Sequence, residues 1–143
     1  GDFVYEVTAG PAPDAEWSSA LVIMCDRSKT FSYCVGNATR EVGKRWLNQV
    51  MWTGGDNMWP NGPLHPIDHK KPLRIRLERV GKLLRVFARQ DGDKDWRPLT
   101  SQVLAYWPKE LEVGVAAANS GKSESIMEFS NPVLVQEPKQ TSR

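Results

Sequence analysis

The stretch Arg74–Gln90, RIRLERVGKLLRVFARQ, decides the fold class. Apolar and polar residues alternate on both sides of Gly81-Lys82, the period of a strand whose side chains point to opposite faces in turn. Gly at the first central position suits a two-residue type II′ turn, whose twist matches the flanking strands. That turn sets Val80 opposite Leu83, Leu77 opposite Val86 and Ile75 opposite Ala88. The last two pairs make a core face. Arg74, Arg76, Glu78, Arg85, Phe87 and Arg89 take the other face, with Glu78 opposite Arg85 as a favourable cross-strand pair. The remaining arginines form a basic stripe, either a solvated outer face or a surface that attracts anionic ligands such as acidic polysaccharide.

Similar short segments recur along the chain. Phe3–Val7 and Phe31–Val35 alternate, and Leu21–Cys25 is a continuous apolar run of the kind buried on both faces. Trp46–Trp52, Leu73–Val80, Leu83–Arg89, Leu111–Ala118 and Ile126–Val135 follow, with Pro132 marking an edge or a bulge. No long segment has helical spacing. Short strands separated by turns predict an all-β sandwich or barrel. At 143 residues, one domain is expected over residues 1–136, with 137–143 as a tail or linker. A net charge of +2 points to no nucleic-acid partner, and no run is long enough for membrane insertion. The chain opens on Gly-Asp-Phe with no signal peptide, as a mature secreted domain or an excised domain would. Cys25 and Cys34 flank a turn at Arg27–Thr30. They are either a cross-strand disulfide or two separate buried thiols.

Leu77, Glu78, Arg79, Gly81, Phe87, Asp91, Gly92 and Trp96 together match a hairpin pattern. In this the chain resembles the concanavalin A-like (laminin G-like) jelly-roll domains of bacterial extracellular proteins. Ala20–Asp26, Phe31–Gly36, Leu111–Asn119 and Met127–Val135 resemble further strands of that family, so the likeness covers most of the chain. It implies a jelly-roll sandwich of two antiparallel sheets, with Trp96 in the core. It also implies an extracellular, cell-surface or periplasmic location, as part of a larger multidomain chain. Its members include carbohydrate-binding modules and glycan-active enzymes.

The second informative stretch is Arg45–Pro66, RWLNQVMWTGGDNMWPNGPLHP, which holds three of the six tryptophans. On a strand, Trp46, Asn48, Val50 and Trp52 share one face, and Leu47, Gln49 and Met51 the other. Trp46 and Trp52 would stand about 20 Å apart. They either fill the core or form a platform for several sugar rings. Sugar recognition needs an apolar plane for the C–H face of the ring and planar polar groups for the hydroxyls. Asn48, Asp56, Asn57 and Arg76 supply the polar groups. Trp59, among Gly, Pro and Asn, is expected on an exposed loop, and Trp107 near a turn is expected to line the same end.

No catalytic residue is assigned. The nearest acidic pair, Glu110 and Glu112, reads as a solvated strand edge, and no Ser/His/Asp set is suggested. His65, Asp68 and His69 lie in a Pro-interrupted loop without a further ligand, so no metal site is assigned. Asp91–Asp95 reads as a solvated turn, with structural calcium as the alternative, and no other cofactor is expected. The expected function is that of a non-catalytic, lectin-like accessory module recognising a glycan or polysaccharide. The rivals are a glycoside hydrolase or lyase domain and a structural or protein-interaction domain.

Overall fold

The computed structural model describes residues 1–11, 18–28, 31–41, 44–53, 56–58, 65–68, 70–104, 106–119, 121–122 and 124–137. Between residues 37 and 66 it describes the backbone alone. The described residues contain strands and no helix. The strands are β1 (Phe3–Ala9), β2 (Ser18–Cys25), β3 (Phe31–Glu41), β4 (Lys44–Thr53), β5 (Asp56–Met58), β6 (His65–Pro66), β7 (Leu73–Val80), β8 (Leu83–Gln90), β9 (Arg97–Val103), β10 (Glu112–Asn119) and β11 (Phe129–Gln136). They form two antiparallel sheets. Sheet A runs β11-β1-β7-β8-β9 and sheet B runs β10-β2-β3-β4-β5, with β6 also paired to β4.

The hairpin that decided the fold class has the expected register. Val80 faces Leu83, Leu77 faces Val86 and Ile75 faces Ala88. Gly81 has φ 59°, which a side chain would strain, while Lys82 keeps a negative φ, as the type II′ turn requires. Pro132 lies on β11, the edge of sheet A, where its missing N–H is tolerated. The β1–β11 register slips between Glu6 and Thr8, close to Asn131 with its φ of 51°.

The two sheets bury one core between them. Tyr5, Val7, Ile75, Leu77 and Val86 come from sheet A, and Val22, Met24, Phe31, Tyr33 and Val35 from sheet B. Alternation gives β2 a strict pattern, with Ala20, Val22 and Met24 buried and Leu21, Ile23 and Cys25 half-buried. The apolar run at Leu21–Cys25 is therefore only partly covered on its second face. Burial pushes the Tyr33 phenol far above its ordinary range, so it stays neutral at any physiological pH.

Two expectations change. β9, RPLTSQV, carries no clear alternation and is a further strand at the edge of sheet A. Trp96 is half-exposed on the outer side of sheet A, beneath the Arg76 guanidinium at 5.8 Å, instead of in the core.

Cys25 and Cys34 are free. Cys25 faces Ser32 while Cys34 faces Ile23, so the two sit diagonally across β2 and β3. Diagonal neighbours are too far apart for disulfide geometry. Burial raises the Cys34 thiol pKa, and only a contact with Ser32 opposes that. Iodoacetamide at pH 8 should therefore modify the half-buried Cys25 in the folded chain and Cys34 only after denaturant is added. Intact-mass analysis showing rapid double alkylation of the native chain would contradict this.

Candidate functional site

The β3–β4 register determines which face of sheet B carries which residues of the tryptophan-rich stretch. Tyr33 faces Met51, Val35 faces Gln49 and Phe31 faces Thr53. Phe31, Tyr33 and Val35 are all at most 1% exposed and belong to the core. Residues directly opposed on neighbouring strands share a sheet face. Leu47, Gln49, Met51 and Thr53 are thus core-face positions, and Trp46, Asn48, Val50 and Trp52 are outer-face positions.

The outer face can be followed across the sheet in four rows. One runs Glu112–Cys25–Ser32–Trp52–Asn57 and the next Gly114–Ile23–Cys34–Val50. A third runs Ala116–Leu21–Gly36–Asn48, and the last Ala118–Ser19–Ala38–Trp46–Pro66. The two tryptophan positions therefore bracket two rows in which Gly114, Cys34, Ala116 and Gly36 are small and Ile23, Val50, Leu21 and Asn48 are not. A Cβ built on Gly114 would meet nothing within 4 Å, so the β10 edge of this face has room, whereas Cys34 and Gly36 on β3 are buried. Gly36 is small for a different reason. A Cβ there would run into the Ala20 carbonyl oxygen, with Leu21 Cα at 2.8 Å. The small Gly36 and Cys34 positions lie on β3 beside the line between Trp46 and Trp52, which runs along β4 past the Asn48 and Val50 positions.

The remaining predicted residues fall in several places. Asn57 is opposite Trp52 and shares its face, whereas Asp56 is opposite Thr53, on the core-side alternation. The side chains of Trp46, Asn48, Trp52, Asp56 and Asn57 lie outside the described residues, as do Trp59 and His69 altogether.

Arg76 lies on β7 in sheet A, on the opposite side of the sandwich from the Trp46–Trp52 face. One ligand cannot touch both. Its guanidinium binds Glu6 at 2.9 Å and Glu78 at 2.6 Å. Trp107 is also engaged. Its ring packs on Phe31 at 6.0 Å, and Arg79 covers it at 4.4 Å. Its Nε1–H donates to the Lys82 carbonyl at 3.0 Å, which also accepts from Leu104 N–H at 2.9 Å. Trp107 therefore ties the β7–β8 turn to the end of the core.

The basic stripe becomes an ion ladder. Glu6, arriving on β1, stands between Arg74 and Arg76, and Glu78 between Arg76 and Arg85. The Asp91–Asp95 segment makes a turn in which Asp93 accepts from Gln90 N–H at 2.9 Å and pairs with Arg97 at 2.9 Å. The Gln90 hydrogen bond, then Arg97, lowers the Asp93 pKa. Among the described residues no three His, Cys, Asp or Glu side chains converge on a metal position.

A cavity of about 600 Å³ opens at one end of the sandwich, lined by Asp2, Phe3, Arg79, Lys109, Glu112 and Leu134, among others. It is mixed in character, and its Glu112 is already paired with Arg27 at 3.4 Å. No helix in the described residues is long and apolar enough to cross a membrane.

Comparisons with known proteins bear on the fold. No protein-family model matches the chain, and no curated protein does. Among solved structures, a xylan β-1,4-xylosidase from Bacillus halodurans C-125 superposes with a TM-score of 0.78 at 16% identity. The match covers 94% of this chain and 28% of the xylosidase. A functionally unknown protein from Saccharomyces cerevisiae superposes with a TM-score of 0.73, also at 16% identity, over 96% of this chain and 70% of that one. These likenesses establish a shared all-β fold.

Proposed function

We propose that this chain is a concanavalin A-like jelly-roll module that binds a glycan, without catalysis, on the outer face of sheet B. Trp46 and Trp52 stack against sugar rings at the two ends of the face, and Asn48 and Asn57 bond to hydroxyls between and beside them. The observation that carries this is the β3–β4 register, in which the buried Phe31, Tyr33 and Val35 oppose the other alternation of β4. Two Trp positions six residues apart on one strand span about 20 Å. Indole faces offer apolar planes that cost little conformational entropy to hold in place, and planar amides fix orientation. The module works as an accessory part of a larger extracellular protein. Its likeness to 28% of a xylosidase is consistent with that and makes a β-linked plant polysaccharide the first ligand to try.

The test is retention on a panel of immobilised neutral polysaccharides, xylan among them. The parent chain should be held on at least one, and Trp52→Ala should lose about tenfold or more in affinity, since one stacked ring contributes over 1 kcal/mol. Glu124→Ala, an exposed change elsewhere, should bind as the parent does. A parent chain that passes through every column, or a Trp52→Ala chain retained as the parent is, contradicts the proposal.

A further inference from the structure

The outer face of sheet A carries charge that its own partners do not balance. Arg74, Arg76, Arg85 and Arg89 share this face with Glu6 and Glu78, four guanidinium groups against two carboxylates. Three of the four are engaged. Arg74 donates to Glu6 Oε2 at 2.9 Å, to the Thr8 hydroxyl at 3.0 Å and to the Asn131 carbonyl at 3.4 Å. Arg76 holds Glu6 and Glu78, and Arg85 Nε stands 3.2 Å from Glu78. Arg89 has no partner among the described residues, and it is exposed.

Arg89 also sits directly opposite Arg74 in the β7–β8 ladder. Like charges at opposed positions destabilise a sheet. The bonds of Arg74 to β1 hold its guanidinium toward Glu6, which leaves Arg89 unopposed by any carboxylate of its own row, Ser130–Thr8–Arg74–Arg89. A cavity of about 260 Å³ lies at this point, lined by Thr8, Arg74, Arg89, Gln90, Asp91 and Gly92. Two aromatic residues lie on this face outside the cavity lining. Phe87 is half-buried on the same face, opposite Arg76, and the half-exposed Trp96 precedes Arg97, which faces Ala88.

From this arrangement we infer that sheet A carries a second site, for a uronic-acid-bearing polysaccharide. The Arg89 guanidinium takes the sugar carboxylate in a two-pronged hydrogen bond, with the Thr8–Arg74 edge beside it, and Trp96 receives the ring. A planar guanidinium matches a carboxylate in this way, and the part of the Trp96 ring that Arg76 leaves open offers the sugar an apolar surface. The site lies on the opposite side of the sandwich from Trp46 and Trp52 and stands or falls independently of them.

The experiment is affinity electrophoresis of the whole chain through gels containing polygalacturonate, dextran sulfate or neutral dextran. Polygalacturonate should retard the parent chain, and raising the salt from about 50 to about 300 mM should weaken the retardation. Arg89→Glu should weaken it about tenfold or more with a melting temperature no lower than the parent's, because Arg89 has no partner among the described residues and Glu there would face Arg74. Arg89→Lys, which keeps charge but not the fork, should fall between. Glu124→Ala, an exposed change elsewhere, should be retarded as the parent is. Absence of retardation by polygalacturonate, or equal retardation of the parent and Arg89→Glu, overturns the inference. So does equal retardation by dextran sulfate, which would mean attraction by charge alone.

Discussion

A Gly36→Ala chain is expected to lose most of its folded stability. Gly36 is buried on β3 opposite Leu21, where β2 approaches unusually closely. A Cβ there would strike the Ala20 carbonyl oxygen, with Leu21 Cα at 2.8 Å and Ala20 C at 2.9 Å. All three atoms are backbone of a neighbouring central strand, so no side chain can swing away. Relief requires β2 to move off β3, which opens the ladder that also carries Val22 and Tyr33 into the core. Overpacking in such a site costs about 3 kcal/mol or more. Urea unfolding followed by tryptophan fluorescence reads the loss. Gly114→Ala is the control, because nothing lies within 4 Å of its Cβ, and it should stay within about 0.5 kcal/mol of the parent. A Gly36→Ala chain as stable as Gly114→Ala would show that β2 and β3 are not so close.

Removing Glu78 should cause the second large loss. Its side chain is 11% exposed, and it accepts from Arg76 Nε at 2.6 Å while facing Arg85 Nε at 3.2 Å. The Arg85 contact is an ion pair off the line of a hydrogen bond, so that N–H is already buried without an acceptor. Without Glu78, Glu6 is left to hold the ladder's guanidinium groups alone. Breaking a fully buried pair costs about 3–5 kcal/mol. Here Arg76 and Arg85 are 31% and 41% exposed, and water screens part of the remaining repulsion. About 1–3 kcal/mol is therefore expected for Glu78→Ala, and less for Glu78→Gln, which keeps the shape and an acceptor. Thermal melts at two salt concentrations check the cause. Added salt should narrow the gap between parent and Glu78→Ala, because the variant is destabilised by like charge. A gap that is absent, or unchanged by salt, would leave the ladder without energetic weight.

The same ladder shows where sequence reading stops. The turn at Gly81-Lys82 and the alternation around it are local, so the β7–β8 register and the Glu78–Arg85 pair could be written down from the residues. That Glu6 would neutralise part of the arginine stripe could not. It belongs to β1, which pairs with β7 across nearly seventy residues, and nothing local encodes that neighbour. Pro132 announced an edge because a missing N–H has few other places in a sheet. β9 gave no such sign. It is an edge strand with Pro98 and mixed polar residues, held by pairing to β8 and not by its own pattern. Trp96 was expected inside from the resemblance alone, and instead it lies under Arg76.

The candidate site divides in the same way. Period two puts Trp46, Asn48 and Trp52 on one face of a strand, but both faces of β4 read as apolar, so the residues could not say which face is inward. The answer came from the neighbour, through Phe31, Tyr33 and Val35. Grouping Arg76 with the tryptophans failed because sheet membership is a long-range property, and β7 belongs to the other sheet. Trp107, grouped with them for its turn-like surroundings, is held by Phe31, Arg79 and the Lys82 carbonyl.

The decisive measurement is calorimetric titration of neutral β-linked oligosaccharides of increasing length, beginning with xylo-oligosaccharides, into the parent chain and a Trp46→Ala/Trp52→Ala double variant. If the outer face of sheet B is a glycan platform, affinity rises with chain length until the sugar spans both tryptophan positions, about 20 Å apart. The double variant, with its fold checked by circular dichroism and melting temperature, then gives no measurable heat. Binding that is equally strong in the double variant, or absent from the parent for every neutral oligosaccharide, would contradict it.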